Sequence, residues 1–259
     1  MIKLPFSDIL PCGVCNFQDI GPLIECRAKS RVPQNAKSVI VYLFPYYLGE
    51  EFYKNSNISK YAVPEDYHII AGEYLEKITL ELKEEFPNND FQWFCDNSPV
   101  REVEAATLCG LGVKGRNGLL INERYGSFCF IGEVITDAEF PCSIPEDRTC
   151  LSCGLCEKMC PTGALKGYKA DASKCLSDIT QRKGEHSEEE KKLIRHSGCI
   201  WGCDICQNVC PMNKSIETTP VKEFTETAKS SYESGDDISR RAFNWRGKAV
   251  IERNFKILL

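Results

Sequence analysis

The chain has 259 residues, 42% hydrophobic and 27% charged, and its formal net charge is 32 − 37 = −5. This composition is typical of a globular protein with a sizeable core, and the acidic balance provides no general attraction for DNA. The longest apolar runs, such as Val39–Phe44, are too short to span a membrane, and no secretion signal opens the sequence. We therefore expect a cytoplasmic protein.

The first third of the chain predicts one irregular segment, one strand and one long helix. Prolines interrupt residues 1–37, which are expected to be irregular. The β-branched and aromatic run Ser38–Phe44 predicts a buried strand that Pro45 ends. Apolar residues recur at helical spacing over residues 66–86, and Pro87 follows that segment.

The next elements complete an α/β-type first domain over residues 1–140. Residues 91–94 predict a short strand that delivers Asp96 at its end, and residues 99–108 predict a short helix. Residues 119–122 and 128–135 predict a strand pair around a turn. Strands alternating with helices indicate an α/β or α+β fold.

A glycine pattern, Gly110-Leu-Gly112-Val-Lys-Gly115, has the letters of a dinucleotide-binding fingerprint. That fingerprint needs a strand before it and a helix after it, whereas here a helix is predicted before and a strand after. The order argues against a dinucleotide site. A tight turn or a close backbone approach to a large ligand accounts for the glycines.

Cysteines are unevenly distributed: of 16, seven fall within residues 1–149, nine within residues 150–210, and none afterwards. The spacing Cys150-x2-Cys153-x2-Cys156-x3-Cys160-Pro161 is the bacterial ferredoxin run, and Cys203-x2-Cys206-x3-Cys210-Pro211 is a shorter second copy. Zinc is the alternative for paired cysteines, but it explains neither the long run nor its duplication. We therefore predict two [4Fe–4S] clusters in a module over residues 141–215.

Crossed ligation, in which the last cysteine of each run binds the other cluster, assigns most ligands. Cluster one takes Cys150, Cys153, Cys156 and Cys210; cluster two takes Cys160, Cys203, Cys206 and one further cysteine. Spacing alone leaves Cys175 and Cys199 as near-equal choices for that last position.

Asp96 is the candidate acid of the first domain, because catalytic groups are often displayed at strand ends. The competing interpretation is an N-cap for the helix that follows, since Pro99 lies three residues later. His68, before the long helix, is by itself more typical of a hydrogen-bonded structural histidine. Residues 216–259 are expected to form a tail that packs on the body, with a final helix.

The combined motifs resemble one known family. They comprise Arg31-x-Pro33, Asn57-Ile-Ser-x-Tyr61-Ala, Asp66-Tyr67-His68, Asp96-x-x-Pro99, Gly110-Leu-Gly112, Gly126-Ser127, the first ferredoxin run, Cys175, Gly202-Cys-Asp-Ile-Cys-Gln207 and Cys210-Pro-x-Asn213. Together they resemble epoxyqueuosine reductase, the cobalamin-dependent iron–sulfur enzyme of the last step of tRNA queuosine synthesis. The similarity runs from about residue 25 to 255.

The resemblance implies an N-terminal α/β domain related to that of reductive dehalogenases, which holds cobalamin beside the two-cluster module, an α+β architecture overall. It makes Cys175 the last cluster ligand and Asp96 the proton donor. It also implies a set of cofactor-binding residues: Arg31, Tyr61, His68, Gly110, Gly112, Asn117, Ser127, Ser177 and Gln207. An external electron donor, such as a ferredoxin or flavodoxin, is expected to supply the clusters.

Several departures bear on the substrate. The family usually has tryptophan where this chain has Val113, Phe128 and Met212, and Gly-Lys-Asn where it has Gly115-Arg116-Asn117. The sequence also ends before the family's helical-repeat domain, so we expect either a tRNA-borne or a small-molecule substrate. One alternative is a two-cluster electron-transfer protein that serves a partner enzyme or corrinoid protein without cobalamin of its own. In another, the clusters are purely structural.

Overall fold

The computed structural model describes residues 3–259. Its strands are β1 (Cys12–Asn16), β2 (Ser38–Pro45), β3 (Phe91–Cys95), β4 (Val113–Lys114), β5 (Leu120–Ile121), β6 (Cys129–Thr136), β7 (Leu165–Lys166) and β8 (Lys169–Ala170). Its α-helices are α1 (Glu50–Tyr53), α2 (Tyr67–Glu85), α3 (Glu102–Leu108), α4 (Leu155–Met159), α5 (Leu176–Gln181), α6 (Glu188–Ser197), α7 (Ile205–Asn208), α8 (Lys222–Glu226) and α9 (Lys248–Leu258).

The chain divides into two compact units that are not simple consecutive halves. Of the described residues, unit 1 consists of 3–45, 67–114 and 119–150, and unit 2 of 46–66, 115–118 and 151–259. Two segments from the predicted first domain, 46–66 and 115–118, therefore belong to the same unit as most of the cysteine-rich module.

Unit 1 is built on an antiparallel sheet with the strand order β1-β2-β6-β3. Every residue of β2 is buried, because α3 packs against one face of the sheet and α2 against the other. Val39, Val41 and Leu43 belong to the hydrophobic cluster on the α3 side. A strand covered on both faces has no exposed side, which explains its continuous apolar sequence.

Several sequence predictions for unit 1 are confirmed. The strand over residues 38–45, the long helix Tyr67–Glu85 and the short strand Phe91–Cys95 lie where the patterns placed them. The glycine pattern follows α3 and precedes β5, the order that argues against a dinucleotide fingerprint.

Other predictions for unit 1 are wrong. Residues 12–16, expected to be irregular, form edge strand β1. The expected strand pair does not form: β5 pairs with β4, whereas β6 pairs with β2 and β3. The isolated bridge from Asn122 to Gly126 closes the turn and does not reach the segment 128–135. Local turn chemistry suggested a hairpin, but the longer apolar strand β6 is buried in the main sheet instead.

Unit 2 combines two short cluster-region helices with a small helical core. Helices α4 and α7, one from each cysteine run, pack against each other, and α5, α6 and α9 form a second group. A complete capping box between Ser187 and Glu190 begins α6. The predicted final helix is present as α9, and its fully buried Asn254 donates to the carbonyls of Thr180 and Ile200 at 2.6 and 2.8 Å.

Candidate functional site

A cavity of about 210 Å³ in unit 1 brings two of the sequence-predicted residues together. Asp96 and Ser127 both line it, and Tyr67, Glu102 and Phe130 contribute further polar and aromatic surface. The cavity lies where β3 ends and α3 begins, so the sheet fixes one wall and the helix another. A recess of this size with converging polar groups is the feature expected of a reaction site.

Asp96 is held in place by three donors. The Tyr67 hydroxyl donates to Asp96 Oδ2 at 2.9 Å, His68 Nε2 lies 3.4 Å from the same oxygen, and the backbone N–H of Asn97 donates to Oδ1 at 2.8 Å. The His68 contact is the largest of the effects that lower the pKa of Asp96 to about 2. The carboxyl is therefore ionised at neutral pH when no substrate is bound.

The backbone at this point is strained, and it excludes the N-cap interpretation. Asp96 and Asn97 both have positive φ values, 54° and 41°, which residues other than glycine rarely adopt. Helix α3 begins only at Glu102, with Arg101 at its cap position, so Asp96 does not cap it. Strained conformations of this kind are common where side chains are held for function.

Aromatic stacking fixes the Tyr67 hydroxyl that contacts Asp96. The Tyr67 ring lies between His68, with ring centroids 4.1 Å apart, and Phe130, with centroids 4.0 Å apart. Both arrangements are stacked, which restricts rotation of the tyrosine ring. Tyr67 is thus a positioning residue that sequence analysis placed only within a motif; its location at the start of α2, beside His68, was the available signal.

Two buried carboxyls behind Asp96 were missed by the sequence analysis. Glu102 also lines the cavity, and burial followed by the charge of Asp96 raises its pKa to about 7. Glu133 is fully buried, and burial raises its pKa well above the usual range, with a further contribution from Glu102. An acidic residue inside the apolar strand run 128–135 was the signal that could have identified Glu133.

The predicted glycines have a structural explanation within unit 1. A Cβ at Gly110 would lie 2.3 Å from the carbonyl oxygen of Ile144, and one at Gly112 would lie 2.6 Å from that of Ile121. Both glycines also have positive φ values. Close backbone packing therefore requires them, and their contact with a cofactor stays a prediction. Arg31, also in unit 1, places its guanidinium 4.7 Å from the centre of the Phe94 ring.

The remaining predicted cofactor residues lie in unit 2. Gln181 links two of them, since its Nε2 lies 3.4 Å from the Tyr61 hydroxyl and 3.2 Å from Ser177 Oγ. Gln207 is buried and donates to the Tyr46 hydroxyl at 3.3 Å.

Asn117 lies in the short segment that α4 anchors. It is buried beside Arg116, whose guanidinium forms two hydrogen bonds, of 3.1 and 2.7 Å, with Glu157 of α4. This pair fixes residues 115–118 next to the first cysteine run and brings a positive charge close to Cys156.

The cysteines of unit 2 occur in tight loops and at helix ends. Ser152 and Gly154, with φ values of 51° and 73°, turn the chain sharply around Cys153 just before α4. Cys160 follows α4, and Cys210 lies shortly after α7. Loops that turn this sharply between cysteines allow several thiolates to face one cluster.

The thiols proposed for cluster two are mutual neighbours. Burial raises the pKa of Cys203, and the charges of Cys175 and Cys160 raise it further. Burial likewise raises the pKa of Cys206, with added contributions from Cys203, Cys175, Asp204 and Cys156 of the first run. Thiols this close and this poorly solvated match the donor set of a metal cluster, which would ionise them on binding.

Cys199 has a different environment from Cys175. Its Sγ donates to the carbonyl of Trp201 at 3.1 Å and approaches that of Gly202 at 3.5 Å. A thiol that donates to carbonyl oxygens carries its proton, whereas a cluster ligand must lose it. Burial raises the pKa of Cys199 as it raises those of Cys203 and Cys206, so the hydrogen bonds of the thiol, and not its pKa, distinguish Cys199.

A buried aspartate in the second run ties the cluster region to segment 46–66 of the same unit. Asp204 accepts hydrogen bonds from Ser59 Oγ at 2.6 Å and from the backbone N–H of Lys60 at 2.8 Å. Burial raises its pKa, and these donors together with the charge of Lys60 counteract that shift. Asp204 is thus a structural anchor placed between Cys203 and Cys206.

Comparison with known proteins gives consistent matches. Residues 149–213 match a family described as a 4Fe-4S double cluster binding domain, and residues 27–97 match the family described as epoxyqueuosine reductase QueG, DUF1730. The prediction of a two-cluster module is thereby confirmed. Among residues 3–259, no helix is long and apolar enough to cross a membrane.

Curated relatives carry the name epoxyqueuosine reductase. The protein from Cyclobacterium marinum is 34% identical over 219 residues, which cover 83% of this chain and 70% of that protein. The one from Lactococcus garvieae is 34% identical over 78% of this chain and 61% of its own length. The one from Escherichia coli is 34% identical over 65% of this chain and 44% of its own length, so the chain matches only part of these relatives.

Solved structures show the same fold. Epoxyqueuosine reductase from Streptococcus thermophilus superposes with a TM-score of 0.79 and 26% identity over 98% of this chain and 78% of that chain. An epoxyqueuosine reductase with an epoxyqueuosine-modified tRNA stem loop has a TM-score of 0.81 at 24% identity, over 98% of this chain and 78% of that chain. A reductive dehalogenase discussed in terms of B12-dependent dehalogenation has a TM-score of 0.51 at 16% identity, over 95% of this chain and 34% of that chain.

Proposed function

The chain belongs to the epoxyqueuosine reductase family, and from that premise we propose that it reduces an epoxide, on a tRNA-borne queuosine precursor or a related smaller molecule. The proposal depends on one observation: Asp96, held by Tyr67 and His68, lines the cavity of about 210 Å³ in unit 1. A carboxyl fixed beside a recess is suited to deliver protons to a substrate oxygen.

Two [4Fe–4S] clusters supply the electrons. Cluster one takes Cys150, Cys153, Cys156 and Cys210, and cluster two takes Cys160, Cys203, Cys206 and Cys175. Cys175 is preferred to Cys199 because it neighbours both Cys203 and Cys206, while the Cys199 thiol is engaged with backbone carbonyls. A one-electron donor protein of the ferredoxin or flavodoxin class delivers the electrons from outside.

Cobalamin is the second cofactor implied by the family. The cavity in unit 1 is smaller than the ~300–1,000 Å³ typical of pockets for drug-sized ligands. It therefore fits the reacting part of a substrate and not a whole corrinoid. The residues that would hold the corrinoid are those predicted from the sequence: Arg31, Tyr61, His68, Gly110, Gly112, Asn117, Ser127, Ser177 and Gln207. When bound, cobalamin supplies a strongly reducing metal centre for the carbon–oxygen bond.

The chain's own residues supply the protons and their placement. Converting an epoxide to an alkene consumes two electrons and two protons and releases the oxygen as water. Asp96 Oδ2 is the delivery atom, and Tyr67 and His68 orient it. Since the pKa of Asp96 without substrate is about 2, its carboxyl is ionised at neutral pH and must receive each proton during the reaction.

The Asp96→Asn variant tests the role of Asp96. The amide keeps the shape of the side chain but cannot donate an acidic proton, so turnover of an epoxyqueuosine-containing tRNA stem loop should fall by about 10²–10⁴-fold. Both clusters should remain at full occupancy. Asp90→Asn, at a side chain that is 76% exposed, is the matched control and should leave turnover unchanged. Full turnover by the Asp96→Asn variant would refute the role.

Anaerobic titration with cob(II)alamin separates this function from the electron-transfer alternative. Electron paramagnetic resonance should report conversion to the base-off form at one corrinoid per chain. An unchanged spectrum, together with rapid electron transfer from the clusters to another protein, would favour the two-cluster electron carrier. We further propose a cytoplasmic location, since cluster-ligating thiolates need a reducing compartment.

A further inference from the structure

Two carboxyl groups, Asp96 and Glu102, line the cavity of unit 1, and a third, Glu133, is fully buried close enough to both to feel their charges. Asp96 follows β3, Glu102 begins α3 and Glu133 lies in the middle of β6. The sheet register pairs Glu133 with Val41 of β2 and with Phe94 of β3, both members of the hydrophobic cluster on the α3 side. Glu133 therefore points its carboxyl into an apolar layer beneath α3.

The two glutamates lack the partners that an ionised carboxylate needs. Among residues 3–259, neither oxygen of Glu133 has a hydrogen-bond partner, and neither does Oε1 of Glu102. The charges that act on Glu102 are those of Asp96, which disfavours its ionised form, and of His68, which favours it. A buried carboxyl without a cation avoids a large desolvation cost by keeping its proton.

The charged groups around Glu133 and along α3 favour the protonated, neutral forms of Glu102 and Glu133. Burial and the charges of Glu102, Asp96 and Cys15 disfavour the ionised form of Glu133, while the Ser98 side chain favours it. Lys114 of β4, a strand that contacts α3, forms an ion pair with Glu104 at 2.6 Å.

Glu102 is in a position to exchange a proton with Asp96. Its carboxyl accepts from the backbone N–H of Asp96, and both side chains line the same cavity. The cavity of about 210 Å³, where Tyr67 and Ser127 add polar groups to the two carboxyls, has room for water that bridges them. His68 differs, because 46% of its side chain is exposed and its proton exchanges with bulk solvent.

We propose that Glu102 and Glu133 form an internal two-proton store from which Asp96 is recharged during epoxide reduction. The inference rests on the proposed function, because it is the reduction of an epoxide that requires two protons. The number of stored protons equals the number that the reaction consumes. Asp96 is the catalytic residue of this arrangement, while Glu102 and Glu133 act through it.

Two protons pass from the glutamates through Asp96 to the epoxide oxygen. The Glu102 carboxylic acid gives its proton to the Asp96 carboxylate, which passes it to the epoxide oxygen as the first carbon–oxygen bond breaks. Glu133 then reprotonates Glu102, and the same route brings the second proton as the second carbon–oxygen bond breaks and water leaves. The two electrons come from the ferredoxin- or flavodoxin-class donor through the clusters. Bulk water refills both glutamates after the product dissociates.

Infrared difference spectroscopy tests the store without relying on activity. At neutral pH the intact protein should show carbonyl stretching bands of neutral carboxylic acids. Glu102→Gln and Glu133→Gln should each remove one component. Glu104→Gln, on the same helix but paired with Lys114, is the matched control and should remove none. Wild-type protein without such bands at neutral pH would overturn the proposal.

Single-turnover kinetics with an epoxyqueuosine-containing tRNA stem loop test the relay. Glu102→Gln should slow the chemical step by about 10²-fold, the low end for loss of a positioned proton donor. The wild-type rate should fall as pH rises through about 7, and the variant should lack that dependence. An unchanged rate and pH profile in Glu102→Gln, with wild-type enzyme active, would overturn the relay alone. An inactive wild type would instead overturn the proposed function, and the relay with it, even if the infrared bands are present.

Discussion

Replacing Cys175 by serine should remove one cluster and leave the other. Two [4Fe–4S] clusters contain about eight irons per chain, and loss of the cluster that Cys175 completes should leave about four. Serine offers a hard oxygen ligand of high pKa in place of a soft thiolate, so it binds cluster iron poorly. The cluster formed by the run from Cys150 to Cys156 and by Cys210 does not use Cys175 and should persist.

Cys199→Ser is the matched control because the two cysteines are alternatives for one ligand position. The Cys199 thiol donates to the carbonyl of Trp201, and a serine hydroxyl can donate to the same oxygen. Removing a buried sulfur while keeping one hydrogen bond should cost about 1 kcal/mol in the free energy of unfolding. The iron content of this variant should remain at about eight per chain.

The assay is iron and acid-labile sulfide per chain after anaerobic purification, with electron paramagnetic resonance of the reduced protein. Wild-type protein should give a spectrum broadened by interaction between two clusters, and Cys175→Ser a simpler spectrum from one. Full iron content in Cys175→Ser, combined with half content in Cys199→Ser, would refute the assignment and make Cys199 the ligand.

Two further predictions concern stability. Because the folded pKa of Glu102, about 7, lies above its ordinary value of 4.5, wild-type protein should lose up to about 3 kcal/mol of unfolding free energy as pH rises from about 4.5 to above 7. Denaturant titrations of Glu102→Gln should lack much of that loss; an identical pH dependence in both proteins would contradict the raised pKa. Gly202→Ala should destabilise the protein by roughly 2 kcal/mol or more, since its φ is +83° and the new Cβ would lie 2.4 Å from Ser59 Cβ. Gly184→Ala, with φ of +88° and no atom within 4 Å, isolates the backbone strain, and equal melting temperatures for the two variants would contradict the steric argument.

Local features of the sequence were sufficient for the cluster module and for the main elements of unit 1. The cysteine run 150–160 can be recognised because its ligand spacing is set by one tight loop, with no reference to the rest of the fold. Strand β2 and helix α2 were predicted for a similar reason. A continuous apolar run and a helical repeat are properties of one segment.

Predictions that depend on contacts between residues far apart in the sequence were less accurate. The segment 128–135 was recognised as a strand, but its partners β2 and β3 are distant in sequence, and the nearby turn suggested the wrong pairing. Asp96 was identified as either a cap or an acid, and nothing within residues 91–108 distinguishes these roles. The structure distinguishes them, because α3 begins only at Glu102 with Arg101 at its cap position, and Tyr67 and His68 contact the Asp96 carboxyl from the start of α2.

The sequence by itself determined which cofactor chemistry the chain carries, because the cluster ligands lie at fixed short spacings along it. Only the tertiary structure decided where protons are held. In the sequence Glu102 looks unremarkable, and Glu133 differs from other acidic residues only in lying inside the apolar run 128–135. The register of β6 with β2 and β3 turns Glu133 into the apolar layer under α3, and α3 brings Glu102 to the same place. Burial of a carboxyl is a property of everything packed around it, and that information is distributed over strands far apart in the chain.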